Sequence, residues 1–90
     1  MADLPRARCL CLDIETARQD RMVLREIGAY RPDLDARLKL KGSASDLATK
    51  LDAITAGAAF VLGHNVVAFD QPALAALHPG LALHRLPLID

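Results

Sequence analysis

The sequence predicts an α/β domain on one mixed sheet. Three strands come first as an antiparallel meander, followed by helix, strand, helix and strand. Three observations carry this. Arg8-Cys-Leu-Cys-Leu-Asp13 is a short apolar run that ends in acid, as a strand covered on both faces would. Ala36-Arg-Leu-Lys-Leu-Lys41 alternates apolar and basic residues with period two, the pattern of a half-exposed edge strand. Leu47, Leu51, Ile54 and Ala58 fall on one helical face.

The elements between follow from local chemistry. Met22 to Tyr30 reads as the second strand, and Arg31-Pro-Asp33 ends it with turn residues. Gly42 closes the third strand. Ser45 and Asp46 open the first helix, with Ser43 or Ser45 as its cap and Gly57 near its end. Phe60-Val-Leu-Gly63 is a short apolar strand. The second helix carries Pro72 in its first turn, where a missing N–H costs nothing, and turns Leu74 and Leu77 inward. Pro79-Gly80 stops it, and Leu86 to Asp90 begins a fifth strand. Short links make the first three strands antiparallel. Strands that return through helices run parallel to the first.

With 90 residues there is room for one small domain. Lys+Arg and Asp+Glu number 11 each, so the net charge is zero and a polybasic arm is excluded as the main hold on nucleic acid. Ala and Leu dominate and aromatics make up 3%, so the core must be aliphatic. A chain of this size buries only about 60–65% of its unfolded surface, so it is marginal unless something completes it. The sequence carries no signal-peptide pattern at Met1 and no transmembrane run, which points to the cytoplasm. Cys9 and Cys11 share one strand face and cannot easily bridge each other. A metal pair completed by histidines is the functional reading; two small apolar core residues is the preferred one.

Two segments carry chemistry. Asp13-Ile14-Glu15 sets two carboxylates on one face of the first strand, where both can reach one hard divalent cation. A buried strand end has no structural need for neighbouring like charges, which repel unless a cation neutralises them. The second segment runs from Gly63-His64-Asn65 to Phe69-Asp70-Gln71-Pro72, again directly after an apolar strand. Asp70 there reads either as an ordinary acid at a helix start or as a third ligand.

Taken together, Cys9-Leu-Cys-Leu-Asp13-Ile-Glu15-Thr16, Glu26-Ile-Gly28-Ala29 and Gly63-His64-Asn65 through Phe69-Asp70 resemble the DEDD 3′–5′ exonucleases, a branch of the ribonuclease H-like fold. The resemblance extends from about Arg8 to Asp90. Three residues lie between Asn65 and Phe69, a spacing similar to that in the exonuclease domains of family B DNA polymerases and of some RecQ-like bacterial helicases.

The resemblance implies a ribonuclease H-like sheet and phosphodiester hydrolysis at DNA or RNA 3′ ends. Asp13, Glu15 and Asp70 would hold two Mg²⁺ or Mn²⁺ ions about 3.5–4 Å apart, one activating water and the other steadying the leaving 3′ oxygen. Thr16 would lie near the terminal nucleotide, Asn65 would bond the substrate or brace its loop, and Phe69 would pack under the site or touch a base. His64 would be a loop residue of the motif.

One departure stands out. The family's third motif, a His or Tyr shortly before a fourth Asp, is absent. His84 to Asp90 has the wrong spacing and is interrupted by Pro87, and it resembles the fifth strand instead. The chain is thus expected to be the front half of such a domain, truncated before its last helices. It would bind metal weakly, catalyse poorly on its own, and leave the fifth strand without a covering helix. The rest would come from a longer polypeptide, such as a helicase, or from a complementing chain. The alternative from another class is a non-catalytic module that keeps the fold and binds nucleic acid or protein. A third reading is an α/β domain with incidental surface acids.

Overall fold

A computed structural model of the chain describes residues 8–17, 23–63 and 71–89. The elements in chain order are β1 (Cys9–Thr16), β2 (Leu24–Arg31), β3 (Ala36–Lys41), α1 (Leu47–Thr55), β4 (Phe60–Leu62), α2 (Gln71–Leu77), a 3₁₀ turn (Ala82–Arg85) and β5 (Leu88–Ile89). The five strands form one sheet in the order β3-β2-β1-β4-β5. β1 pairs antiparallel with β2, and β2 with β3. β4 runs parallel to both β1 and β5. The meander, the parallel returns and the edge position of β3 agree with the sequence reading.

The core lies on one face of the sheet. Leu10 and Leu12 of β1, Ile27 and Ala29 of β2 and Val61 of β4 pack there against Leu47 and Leu51 of α1, Leu74 of α2 and Leu83 of the 3₁₀ turn. All are aliphatic, as the shortage of aromatics required. The expectation that β1 is covered on both faces is not met. Among the described residues the helices cover the even-numbered side, while Cys11, Asp13 and Glu15 line an open groove. The apolar run misled because Cys9 and Cys11 are small enough to sit on the second face without a helix over them; Cys9 is nevertheless buried and Cys11 half-buried, both as free thiols.

Other boundaries also moved. β1 continues past Asp13 to Thr16, because its backbone still pairs with β2 there. The pairing slips between Glu15 and Thr16, where Glu26 is followed by Leu24 and Arg25 is passed over as a β-bulge. Neither Ser43 nor Ser45 caps α1: Asp46 holds that position, without a side-chain cap bond. Leu77 is exposed rather than inward, since α2 ends at that residue and the chain turns away. His78 lies in the loop after α2 and His84 in the 3₁₀ turn, with His84 Nε2 2.9 Å from the His78 carbonyl oxygen. Asp52 Oδ1 accepts the Ala82 N–H at 2.9 Å and so caps that turn from α1.

The end of α1 is held by a buried arginine. Arg31 is 2% exposed. Its Nε and Nη2 donate to the two carboxylate oxygens of Asp33 at 3.0 and 2.9 Å. Its Nη1 donates to the Ile54 and Ala56 carbonyl oxygens, each at 2.8 Å. These are orphan acceptors at a helix C-terminus, where a cation is also favoured by the helix dipole. Gly57 follows with φ 84°, the left-handed conformation that commonly ends helices. The Arg31 hydrogen bonds hold the Asp33 carboxyl below its ordinary range. Its contribution to stability is therefore complete above about pH 3.9, the unfolded value, and is lost as pH falls through the lowered folded value. Urea midpoints measured from pH 7 to pH 3 should fall more steeply for the native chain than for Asp33→Asn. Parallel curves would contradict this.

Gly42 is required by a close approach. Its N–H donates to the Arg25 carbonyl oxygen at 2.8 Å. A Cβ there would run into the Leu24 backbone carbonyl. Gly42→Ala should cost about 1–3 kcal/mol, as overpacking against rigid backbone does, and a melting point unchanged within a degree or so would refute the contact.

Candidate functional site

Period-two geometry sorts the open face into three rows across the sheet. In the first, Leu62 of β4 stands beside Cys11 of β1, then Tyr30 of β2 and Arg37 of β3. The second row is Asp13, Gly28 and Lys39. Glu15, Glu26 and Lys41 make the third. The face therefore grades from apolar at β4 and β5, through acid on β1, to basic on β3. Leu62 and Ile89 remain 37% and 47% exposed at the apolar end, as expected for a fifth strand without a covering helix.

A groove of about 930 Å³ runs over these rows, lined among others by Asp13, Glu15, Gly28, Tyr30 and Lys39. Its floor is Gly28. A Cβ there would lie 3.9 Å from the Asp13 carbonyl oxygen and 4.0 Å from that of Leu38, ordinary contact distances. The backbone does not demand glycine at this position. The missing side chain is what keeps the groove deep between the acid row and the basic row.

Asp13 and Glu15 are both exposed and both face the groove. Glu15 stands 3.8 Å from Arg25 Nη1, a long and solvated pair worth little. Asp13 makes no ion pair or side-chain hydrogen bond among the described residues. Glu26, directly opposite Glu15, is drawn away to Lys39 at 2.9 Å. That bond, with the Glu26, Glu15 and Asp13 charges around it, raises the Lys39 pKa, so Lys39 stays protonated through neutral pH. The Arg37 guanidinium carbon lies over the Tyr30 ring, 4.4 Å from its centroid. Two exposed hard-oxygen carboxylates on one strand face, Glu15 only loosely paired with Arg25, suit Mg²⁺, Mn²⁺ or Ca²⁺. Among the described residues no three His, Cys, Asp or Glu side chains converge to hold a metal ion.

The cysteine sulfurs are 3.7 Å apart, and among the described residues no third donor joins them in a group that could hold a metal ion. Burial, then the hydrogen bond and charge of Cys9, pushes the Cys11 thiol up.

The structure thus brings Asp13 and Glu15 together on one face. Thr16 ends the same strand, half-buried, just past the bulge. Gly63 lines the same groove, and its N–H donates to the Ile89 carbonyl oxygen at 3.1 Å. His64, Asn65, Phe69, Asp70 and Asp90 lie outside the described residues. Sequence reasoning missed Gly28, Tyr30, Arg37 and Lys39 as groove residues. A signal existed: a glycine inside a strand marks a place where something approaches closely, and period two puts Gly28 with Tyr30.

No family model matches this chain, no curated protein is detectably similar to it, and no solved structure matches it. Among the described residues no helix is long and apolar enough to cross a membrane.

Proposed function

We propose that the open face belongs to a metal-dependent 3′–5′ exonuclease of the DEDD type, on a ribonuclease H-like sheet. Asp13 and Glu15 are two of its metal-binding carboxylates and Asp70 the third. The observation that carries this reading is the pair Asp13 and Glu15, side by side over an open groove on the middle strand of the sheet. Asp13 has no ion pair or side-chain hydrogen bond among the described residues. The strand order β3-β2-β1-β4-β5 with its mixed directions supports the fold reading.

Divalent cations bound at such carboxylates activate water and stabilise the leaving 3′ oxygen. The chain's own residues do the rest. Asp13 and Glu15 supply negative charge at one edge of the groove, and Lys39, held protonated, balances it across Gly28. Thr16, His64, Asn65 and Phe69 are proposed as the substrate side: Thr16 near the terminal nucleotide, Asn65 bonding the substrate or bracing its loop, and Phe69 packing under the site or touching a base.

The test is the shortening of a 5′-labelled single strand, in Mn²⁺ or Mg²⁺ and in EDTA, with Mn²⁺ binding measured alongside. The rate should be low, because the His or Tyr of the third motif is absent from the sequence. Metal-dependent loss of 3′ nucleotides supports the reading. A chain that neither shortens the strand nor binds Mn²⁺ overturns it.

The second reading is a non-catalytic nucleic-acid or protein-binding module. It is favoured by the lack of a three-donor cluster among the described residues. It predicts binding that is indifferent to Mg²⁺ and releases no nucleotide.

A further inference from the structure

We propose that the groove over Gly28 is a binding subsite for one unpaired nucleotide, its ring on the Gly28 floor and its phosphates along the basic row of β3. This rests on the nucleic-acid reading of the face but assigns residues outside the carboxylate set.

Three features select this occupant. The first is shape. Between β1 and β3 the groove spans two interstrand spacings, about 10 Å. That admits one flat ring but not a paired duplex. Gly28 leaves the floor bare although a Cβ there would fit without collision. The second is the wall. Tyr30, with the Arg37 guanidinium carbon over its ring at 4.4 Å, offers an aromatic and a guanidinium group beside that floor. Aromatic and guanidinium planes of this kind hold unpaired bases with little regard to sequence. The third is charge. Arg37, Lys39 and Lys41 recur every second residue on β3 and share the open face; Arg37 and Lys39 line the groove opposite Asp13, Glu15 and Glu26, and Lys39 is bonded to Glu26 at 2.9 Å. Such a row tracks a phosphate backbone. It is also a local one, which reconciles a neutral chain with an anionic ligand. An apolar helix is a poor match, because the acid and basic rows would both be desolvated beneath it.

The probe is a fluorescein-labelled oligo(dT) of about ten nucleotides, read by anisotropy in EDTA at low salt. The intact chain should bind it, more tightly than the matching duplex. Gly28→Val fills the floor and should weaken binding by about tenfold or more, the loss of one stacking contact, with its melting point kept. Arg37→Gln/Lys39→Gln changes only exposed side chains, so folding is not at issue. It should weaken binding comparably and flatten the salt dependence. The proposal is overturned if the native chain fails to bind, if the duplex binds better, or if both variants bind within about twofold of native. It also falls if the chain is a dimer that Gly28→Val dissociates. Metal-dependent shortening is read separately. Oligonucleotide binding in EDTA that Gly28→Val destroys, in a chain without hydrolysis, keeps the subsite and removes the exonuclease. Hydrolysis that Gly28→Val leaves intact, with unchanged binding, does the reverse.

Discussion

Arg31→Met should destabilise the domain by about 3 kcal/mol or more, a large part of the total stability of a chain this small. The side chain is 2% exposed and makes four hydrogen bonds, two to Asp33 and two to carbonyls at the end of α1. Methionine matches the stem but donates nothing. It strands the Ile54 and Ala56 carbonyl oxygens beneath the buried Arg31 side chain and leaves the Asp33 carboxylate without its partner. An unsatisfied buried acceptor costs roughly 1–3 kcal/mol. Arg31→Lys should lose about half as much, because an ammonium keeps the charge but cannot span the carboxylate and both carbonyls with one planar fork. Urea unfolding of the three proteins decides the matter. A shift below about 1 kcal/mol for Arg31→Met would show that water or rearranged turns satisfy those groups.

Asp13→Asn should lower metal-dependent 3′ shortening at least about 100-fold and weaken Mn²⁺ binding, with the fold intact. The side chain is exposed and supports no packing. The amide preserves shape and removes one charge from the pair proposed to hold a cation. Relief of the repulsion between Asp13 and Glu15 should leave stability unchanged or slightly higher without metal. Glu15→Gln should behave similarly, minus the weak contact with Arg25. Full activity in Asp13→Asn would remove the carboxylate pair from the mechanism. A fall in melting point without metal would mean instead that Asp13 has a structural role.

Much of the fold was legible locally. Period two in residues 36–41 and the helical spacing of Leu47 and Leu51 predicted β3 and α1 where they lie, because each repeats the geometry of the element that buries it. The Asp13–Glu15 pair was legible for the same reason: alternation along a strand puts both on one face. The turn at Arg31 was legible as a turn and illegible as a hub. Its partners Ile54 and Ala56 lie 23 and 25 residues away, and no local pattern encodes such a contact. The 3₁₀ turn and its cap by Asp52 were missed on the same ground.

By itself, then, the sequence determined the order and kind of the five strands and two helices, the aliphatic core and the acids that share β1, all consequences of residue type and spacing. The tertiary structure alone decided which face of the sheet stays open, that Arg31 closes α1, and that Gly28 separates an acid row from a basic row. Those properties depend on cross-strand register and on which side the helices pack, and both are settled by contacts between residues far apart in the chain.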